Sequence, residues 1–298
     1  MDDRHIPVLH STALDVLHPE KGESVLDVTL GLGGHASAFL KAVGDGGHLY
    51  ALDADERNLI DAKKVLGEAA NISLFHTNFG QLDSLDIPKV DIVFADLGLS
   101  SPHIDEGDRG FTFREDAPLD MRFDRSSGIS ASDFLATASE DDIAYVLRQY
   151  GEVKQSRKMA VDITNTKPKT THDLKQSVER VCGFRAKSVL PQVFQAIRIV
   201  VNDEIAALKH LLDVGPLLLK EGGRMGVISY HSLEDRPVKQ MFKTLTTPEK
   251  DDLTGAISKE APYELVTKKP IRPSEEEISN NPRARSALFR VIRRVSKP

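Results

Sequence analysis

The chain is 298 residues long, 40% hydrophobic and 28% charged, an ordinary soluble globular composition with room for one large domain or two smaller ones. No apolar run approaches the ~18 residues of a bilayer span, and Met1-Asp2-Asp3-Arg4-His5 lacks the basic-then-apolar pattern of a secretory leader; a cytoplasmic location without a membrane partner is expected. The single cysteine, Cys182, excludes an internal disulfide, and the ten histidines show no pair at metal-ligand spacing, so no metal is expected.

Taken from the amino end, residues 24–28 read as a strand that breaks into Gly31, Gly33 and Gly34 before a helical pattern resumes over 36–43. Glycines in such a loop let the backbone turn tightly and approach a ligand, and the helix behind them offers unpaired N–H groups. The next strand, 48–52, runs into Asp53, about 20 residues past the glycines, where a ribose-binding acid is expected. Gly31-x-Gly33-x-x-Ala36 also satisfies the looser dinucleotide pattern. Asp27, on the strand just before the loop, tilts the reading towards S-adenosylmethionine, because an acid there suits a sulfonium and repels a diphosphate.

A helix over 56–66 and strands over 72–76 and 90–95 continue the alternation that defines a parallel α/β sheet. The rhythm then stops. Residues 97–127 are rich in Gly, Ser, Asp, Arg and Pro, and a loop of that length is usually functional or disordered. Asp96-Leu97-Gly98-Leu99-Ser100-Ser101-Pro102-His103 opens it at the carboxyl edge of the fourth strand, where such sheets hold ligands; Asp96 and the hydroxyls of Ser100 and Ser101 are candidates to orient an amine for methylation, though Ser-Ser-Pro also suits a plain turn. Phe111 and Phe113 are candidates to stack on a base or to pack the loop, and Asp120 and Arg122 to bond a substrate or each other.

From 130 to 212 only helices are legible. Ser139 opens one, Thr171 another that Gly183 ends, and a third is expected to run unbroken through Val193, Phe194, Ile197, Val200, Val201, Ile205, Leu208 and Leu212. The α/β rhythm returns with a strand over 224–229, a helix over 233–245 and two late strands over 264–268 and 287–293. The expected organisation is therefore an α/β domain (1–107 and 211–298) carrying an inserted helical domain (108–210), with 246–260 as a surface loop. His231, after the fifth strand on the ligand-bearing edge, is a candidate substrate contact.

The net charge of −6 hides an uneven distribution: nine Lys or Arg against four Glu from residue 264 onward give that segment +5 and leave −11 for the remainder. A basic segment on an acidic body is a local footprint for phosphate, and Arg283 and Arg285, on alternate positions of an expected extended stretch, would point the same way as a clamp requires.

Together these words resemble the bacterial ribosomal RNA methyltransferase family called RsmH or MraW. The resemblance rests on His5-Ile6-Pro7-Val8-Leu9, Thr29 through His35, Asp96 through Pro102, Arg109-Gly110-Phe111, Pro118 through Arg122, Phe194-Gln195-Ala196-Ile197-Arg198-Ile199, Ser229 through Arg236 and Asn281 through Ser286, so it spans nearly the whole chain. It implies a Rossmann-like class I methyltransferase sheet with a helical insertion facing RNA, and S-adenosylmethionine-dependent methylation of cytosine N4 in the decoding centre of 16S ribosomal RNA. It also implies that Gly33, Gly34, His35, Asp53, Phe79, Asp96 and His103 contact the cofactor. The partner would be small-subunit RNA or the assembled small subunit; a homodimer stays open, as does a methyltransferase acting on another RNA, a protein or a small amine. A non-catalytic assembly factor would use the basic tail but leave the site loop idle. The chain departs from the family's wording at Val153, where an acid is usual, and at Ser188-Val189-Leu190-Pro191-Gln192, where His-Pro-Ala-Thr-Arg is usual.

Overall fold

The computed structural model describes residues 7–100, 107–251 and 254–296. The chain divides into two compact units, one made of Met1–Gly98 with Ala206–Pro298 and the other of Leu99–Ile205. The second unit is thus bounded at Leu99 and Ile205, where the sequence led to 108 and 210.

In the first unit β1 (Ser24–Asp27), β2 (His48–Asp53), β3 (Ile72–His76), β4 (Val90–Asp96), β5 (Leu219–Ser229), β8 (Tyr263–Leu265) and β9 (Leu288–Arg294) form one sheet in the order β3-β2-β1-β4-β5-β9-β8. The pairs among β1 to β5 are parallel, whereas β9 runs antiparallel to β5 and β8 antiparallel to β9. Successive residues bury alternately on the two faces, as the pleat requires. Val25, Ile92 and Phe94 join Phe39, Leu17 and Phe289 on one side, and Leu26, Val93 and Ala95 join Leu211, Val238 and Phe242 on the other.

The helices α1 (His10–Leu17), α2 (Gly34–Val43) and α3 (Glu56–Leu66) cover the first face. Asp55 caps α3 by accepting from the Arg57 N–H, and Gly67 ends it. β1 feeds β2 on one side while β4 pairs with it on the other, so a switch point opens at the carboxyl ends of β1 and β4.

The second unit is all helical: α4 (Ala131–Thr137), α5 (Glu140–Gln149), α6 (Ser156–Thr166), α7 (Thr171–Cys182) and α8 (Ala186–Val201) enclose Leu119, Met121, Leu147, Ile163, Leu174, Val193 and Phe194. Thr170 and Asp173 form a full capping box on α7. The third sequence-expected helix is in fact two, because α8 stops at Val201 and α9 (Glu204–Val214) starts after Asp203, whose φ of 49° is left-handed. Asn202 makes the break: its amide donates to the Met121 carbonyl at 2.7 Å and accepts from the Phe123 N–H at 2.7 Å, a tertiary tie that local periodicity does not reveal. The expected loop at 246–260 contains a short antiparallel hairpin, β6 (Glu249–Lys250) with β7 (Ile257–Lys259), after α10 (Ser232–Leu245).

Candidate active site

Three carboxylates stand where strands end. Asp27 pairs in register with Phe94 and with Ala51, Asp53 closes β2 and Asp96 closes β4, so the parallel sheet itself brings them to one edge. Between them runs the glycine loop. Gly33 adopts φ 81° at the start of α2, and a side chain on Gly34 would collide with the Pro7 ring, so these positions exclude a Cβ for steric reasons.

Asp53, expected from its spacing to bind a ribose, is engaged within the fold. One of its oxygens accepts from the Gly31 N–H at 2.8 Å, and the other accepts from the Asp55 N–H at 2.8 Å and the Asn58 amide at 3.2 Å. The acid at the end of β2 therefore shapes the loop, a role that spacing alone does not disclose.

Asp27 is fully buried. One oxygen accepts from the Thr29 N–H at 3.0 Å, while Oδ2 has no hydrogen-bond partner. Burial pushes its pKa from 3.8 up to about 6, with the Thr29 bond and the nearby His35 working against the rise. Thr29 also accepts from the Asp96 N–H at 2.6 Å, so the first and fourth strand ends are joined through one hydroxyl.

Asp96 is held on its side chain as well. The Tyr230 hydroxyl donates to Asp96 Oδ1 at 2.7 Å, and burial, reinforced by the Asp96 charge, drives the Tyr230 pKa well above its ordinary value, keeping the phenol a donor. Tyr230 lies inside a quoted motif, yet the sequence offered no reason to select it. His35, 7% exposed, packs its ring 4.7 Å from that of Phe94, and its Nε2 is 3.6 Å from Asp96 Oδ2, too long for a hydrogen bond; neither ring nitrogen has a partner.

Phe79 opens a 3-10 turn (Phe79–Ser84) and packs against the second face's core. His231 precedes α10 with Nε2 3.0 Å from Glu234 Oε1, without the alignment of a hydrogen bond. Ser101 and His103 lie outside the described residues.

Other sequence-selected residues have structural roles in the helical unit. Asp120 and Arg122 bond each other through two parallel contacts of 2.8 and 2.9 Å. Phe111 is buried and stacks on Phe123 at 5.6 Å, so it supplies no free stacking face, and the partly buried Phe113 meets Phe194 edge-on at 5.3 Å.

The tail also differs from expectation. Pro282–Ser286 is a 3-10 turn, not an extended strand, and two positions apart on such a turn side chains diverge, so Arg283 and Arg285 form no parallel clamp. On β9, Arg290 closes on Asp235, Arg293 on Glu264, and Arg294 donates to the Leu219 carbonyl at 2.7 Å. Among the described residues no cluster of His, Cys, Asp and Glu could hold a metal, and no helix is long and apolar enough to cross a membrane.

This strand order, with a glycine loop after β1 and an acid ending β2, is the Rossmann-like sheet of a class I methyltransferase. A family model described as the MraW methylase family matches residues 2–295, and the chain belongs to that family. It is 41% identical to the ribosomal RNA small subunit methyltransferase H of Bacteroides fragilis, covering 96% of each chain. The protein of the same name from Chromobacterium violaceum is 40% identical over 99% of this chain and 96% of its own. A SAM-dependent O-methyltransferase structure from Thermotoga maritima overlies all of this chain and 69% of its own at 10% identity with a TM-score of 0.44, and adds nothing to the assignment.

Proposed function

We propose that this protein is a cytoplasmic enzyme that uses S-adenosylmethionine to methylate N4 of a cytosine in the decoding centre of 16S ribosomal RNA, acting on small-subunit RNA or the assembled subunit. The observation that carries the chemistry is Asp96 at the switch point, fixed by the Tyr230 hydroxyl on its side chain and by Thr29 on its backbone. The near-full-length relationship to proteins named for the small subunit supports the substrate.

The residues present fit the cofactor. The backbones of Gly33, Gly34 and His35 at the start of α2 would meet the cofactor, Asp53 would bind its ribose, and Phe79 and His103 would be further contacts. The unpartnered Asp27 Oδ2 would supply negative charge to a cationic donor. When bound, S-adenosylmethionine supplies a methyl group on a positively charged sulfur.

The protein's task is to prepare the amine. The N4 lone pair of cytosine is delocalised into the ring, and a carboxylate accepting an N4–H bond localises it. Asp96 accepts that bond, keeps its orientation through Tyr230, and favours the charge that develops on nitrogen until a proton leaves; the Ser101 hydroxyl is a second acceptor. His231 contacts the target nucleotide. Asp120 and Arg122 act on it only through the loop they brace, and Arg283 and Arg285 meet phosphates singly rather than as a clamp.

The test is methyl transfer from labelled S-adenosylmethionine to small ribosomal subunits, followed by nucleoside digestion. Label in N4-methylcytidine is the expected result. Label in protein, or at another nucleoside, overturns the proposed target.

A further inference from the structure

The helical unit contains a cavity of about 230 Å³ lined by Glu152, Lys154, Gln155, Arg185, Ser188 and Gln192 over a floor that includes Val153 and Cys182. That volume is below the roughly 300–1,000 Å³ of a cofactor-sized pocket and suits one base or one phosphate. Both stretches in which the sequence departs from its family's wording, Val153 and 188–192, contribute to the wall.

Next to it stands Phe184. At 93% exposure it is the most exposed large apolar side chain among the described residues, held on a 3-10 turn (Gly183–Arg185) that Gly183 enters at φ 53°. The Arg185 guanidinium lies 5.4 Å from the Phe184 ring centroid and has no carboxylate partner among the described residues. Lys154 is likewise unpaired there, and the exposed Arg157, Lys158 and Lys187 follow in sequence with Glu152 as the one acid in these two stretches, 152–158 and 183–192. In a chain of net charge −6 this is a local cationic surface around an upright aromatic ring.

An aromatic face with an adjacent guanidinium stacks on nucleic-acid bases, and unpaired cations beside it attract phosphates. A folded-protein partner would want the ring in an apolar surround, whereas the exposed side chains next to it in sequence, Arg185, Lys187 and Ser188, are cationic or polar. We propose that Phe184 and Arg185, with Lys154 at the cavity wall, form a platform that stacks an unpaired base of the RNA substrate and holds its phosphate. The platform lies wholly in the helical unit. It rests on the reading of this protein as an RNA methyltransferase, and it assigns to Phe184 a stacking role that the buried Phe111 cannot fill.

The experiment compares wild type with Phe184→Ala, Phe184→Trp and the double variant Lys154→Gln, Arg185→Gln. Each is titrated with a fluorescently labelled single-stranded RNA drawn from the small subunit, and assayed for methylation of small subunits and for S-adenosylmethionine affinity by calorimetry. Phe184→Ala is expected to weaken RNA binding about tenfold and Phe184→Trp to preserve it. The double variant should lower the slope of log affinity against log salt by about 0.7 per cation lost. Cofactor affinity should not move in any of them, since none of these residues is in the cofactor's unit. Wild-type RNA affinity in Phe184→Ala overturns the platform while leaving the enzymatic reading intact. So does a defect seen with assembled subunits but not with naked RNA, which would make a ribosomal protein the partner. A wild-type enzyme that neither binds nor methylates the RNA removes the functional reading and the platform together.

Discussion

In the α/β unit the buried carboxylate and imidazole atoms that lack hydrogen-bond partners, Asp27 Oδ2 and both ring nitrogens of His35 and of His231, gather near strand ends. In the helical unit no carboxylate or imidazole atom among the described residues is left so; its acids close on arginines, Asp120 on Arg122, Asp162 on Arg180 and Glu204 on Arg198, as Glu23 on Arg224 and Asp235 on Arg290 do in the α/β unit. An unpartnered buried polar atom costs free energy, so a fold keeps one where it serves a ligand, whereas two-point ion pairs fix loops and helices in place. The unpartnered carboxylate and imidazoles are the ones proposed to serve a ligand, and the ion-paired acids hold the chain.

The largest effect that would break this comparison is at Asp96. Asp96→Asn keeps the Tyr230 contact and the shape but removes the charge, so kcat should fall by about 10²–10³, as for loss of one group that stabilises the transition state. Cofactor affinity measured by calorimetry should change much less. Wild-type turnover would return Asp96 to the structural class.

Asp27 gives a stability signature of the opposite sign to the ion pairs. Its folded pKa, about 6, lies above the ordinary 3.8, so the folded chain binds the extra proton between those values. Stability from this group is fully present below about pH 4, falls as pH rises through 6 and is flat above; the two-unit shift amounts to about 3 kcal/mol. Asp27→Asn should therefore raise denaturant stability at pH 8 by up to about 3 kcal/mol, change little at pH 4, and weaken cofactor binding. A wild-type profile flat from pH 4 to 7 would show that the carboxylate is not strained.

Asp53 belongs to both classes. Because it holds Gly31 and is proposed to bind the ribose, Asp53→Ala should weaken cofactor binding by about 1.5–3 kcal/mol, the range for hydrogen bonds to a charged group. Unchanged affinity by calorimetry would leave it only the loop-shaping role.

Much of the fold was legible in the sequence because a parallel sheet writes itself locally. The strand Ile72–His76 and the helices Glu56–Leu66 and Thr171–Cys182 coincide with expectation at both ends, where Asp55, Gly67, Thr170 and Gly183 mark them. What escaped was written elsewhere in the chain. α1 has left-handed residues at both ends, Leu9 and His18, no side-chain cap, and a Leu9 N–H donating to Glu277, 268 residues away. The break after Val201 depends on Met121 and Phe123, and the arginines of β9 found partners at Asp235 and Glu264 that a charge count registers only as a basic tail. At the site, the three acids and the glycines were readable from spacing, whereas Tyr230 reaches Asp96 across 134 residues.

The smallest expected effect tests the structural side of the comparison. Asp120 and Arg122 are partly buried, with Asp120 also accepting from the Arg122 N–H at 3.1 Å and Arg125 3.5 Å from its second oxygen. Asp120→Ala removes the acceptor shared by these groups while leaving the Arg122 guanidinium partly solvated, so the cost should be about 1–2 kcal/mol of unfolding free energy rather than the larger penalty of a stranded buried charge. The pair depresses the Asp120 pKa against the opposing effect of burial, which means its contribution is present above the ordinary carboxylate range and is lost as pH falls through the lowered value. Urea midpoints at pH 7 and in acid should therefore differ between wild type and variant at the former and converge at the latter. If Asp120→Ala instead left the midpoint unchanged and raised the KM for small-subunit RNA, the residue would be a substrate contact, and the helical unit would carry its binding groups in the same ion pairs that brace it.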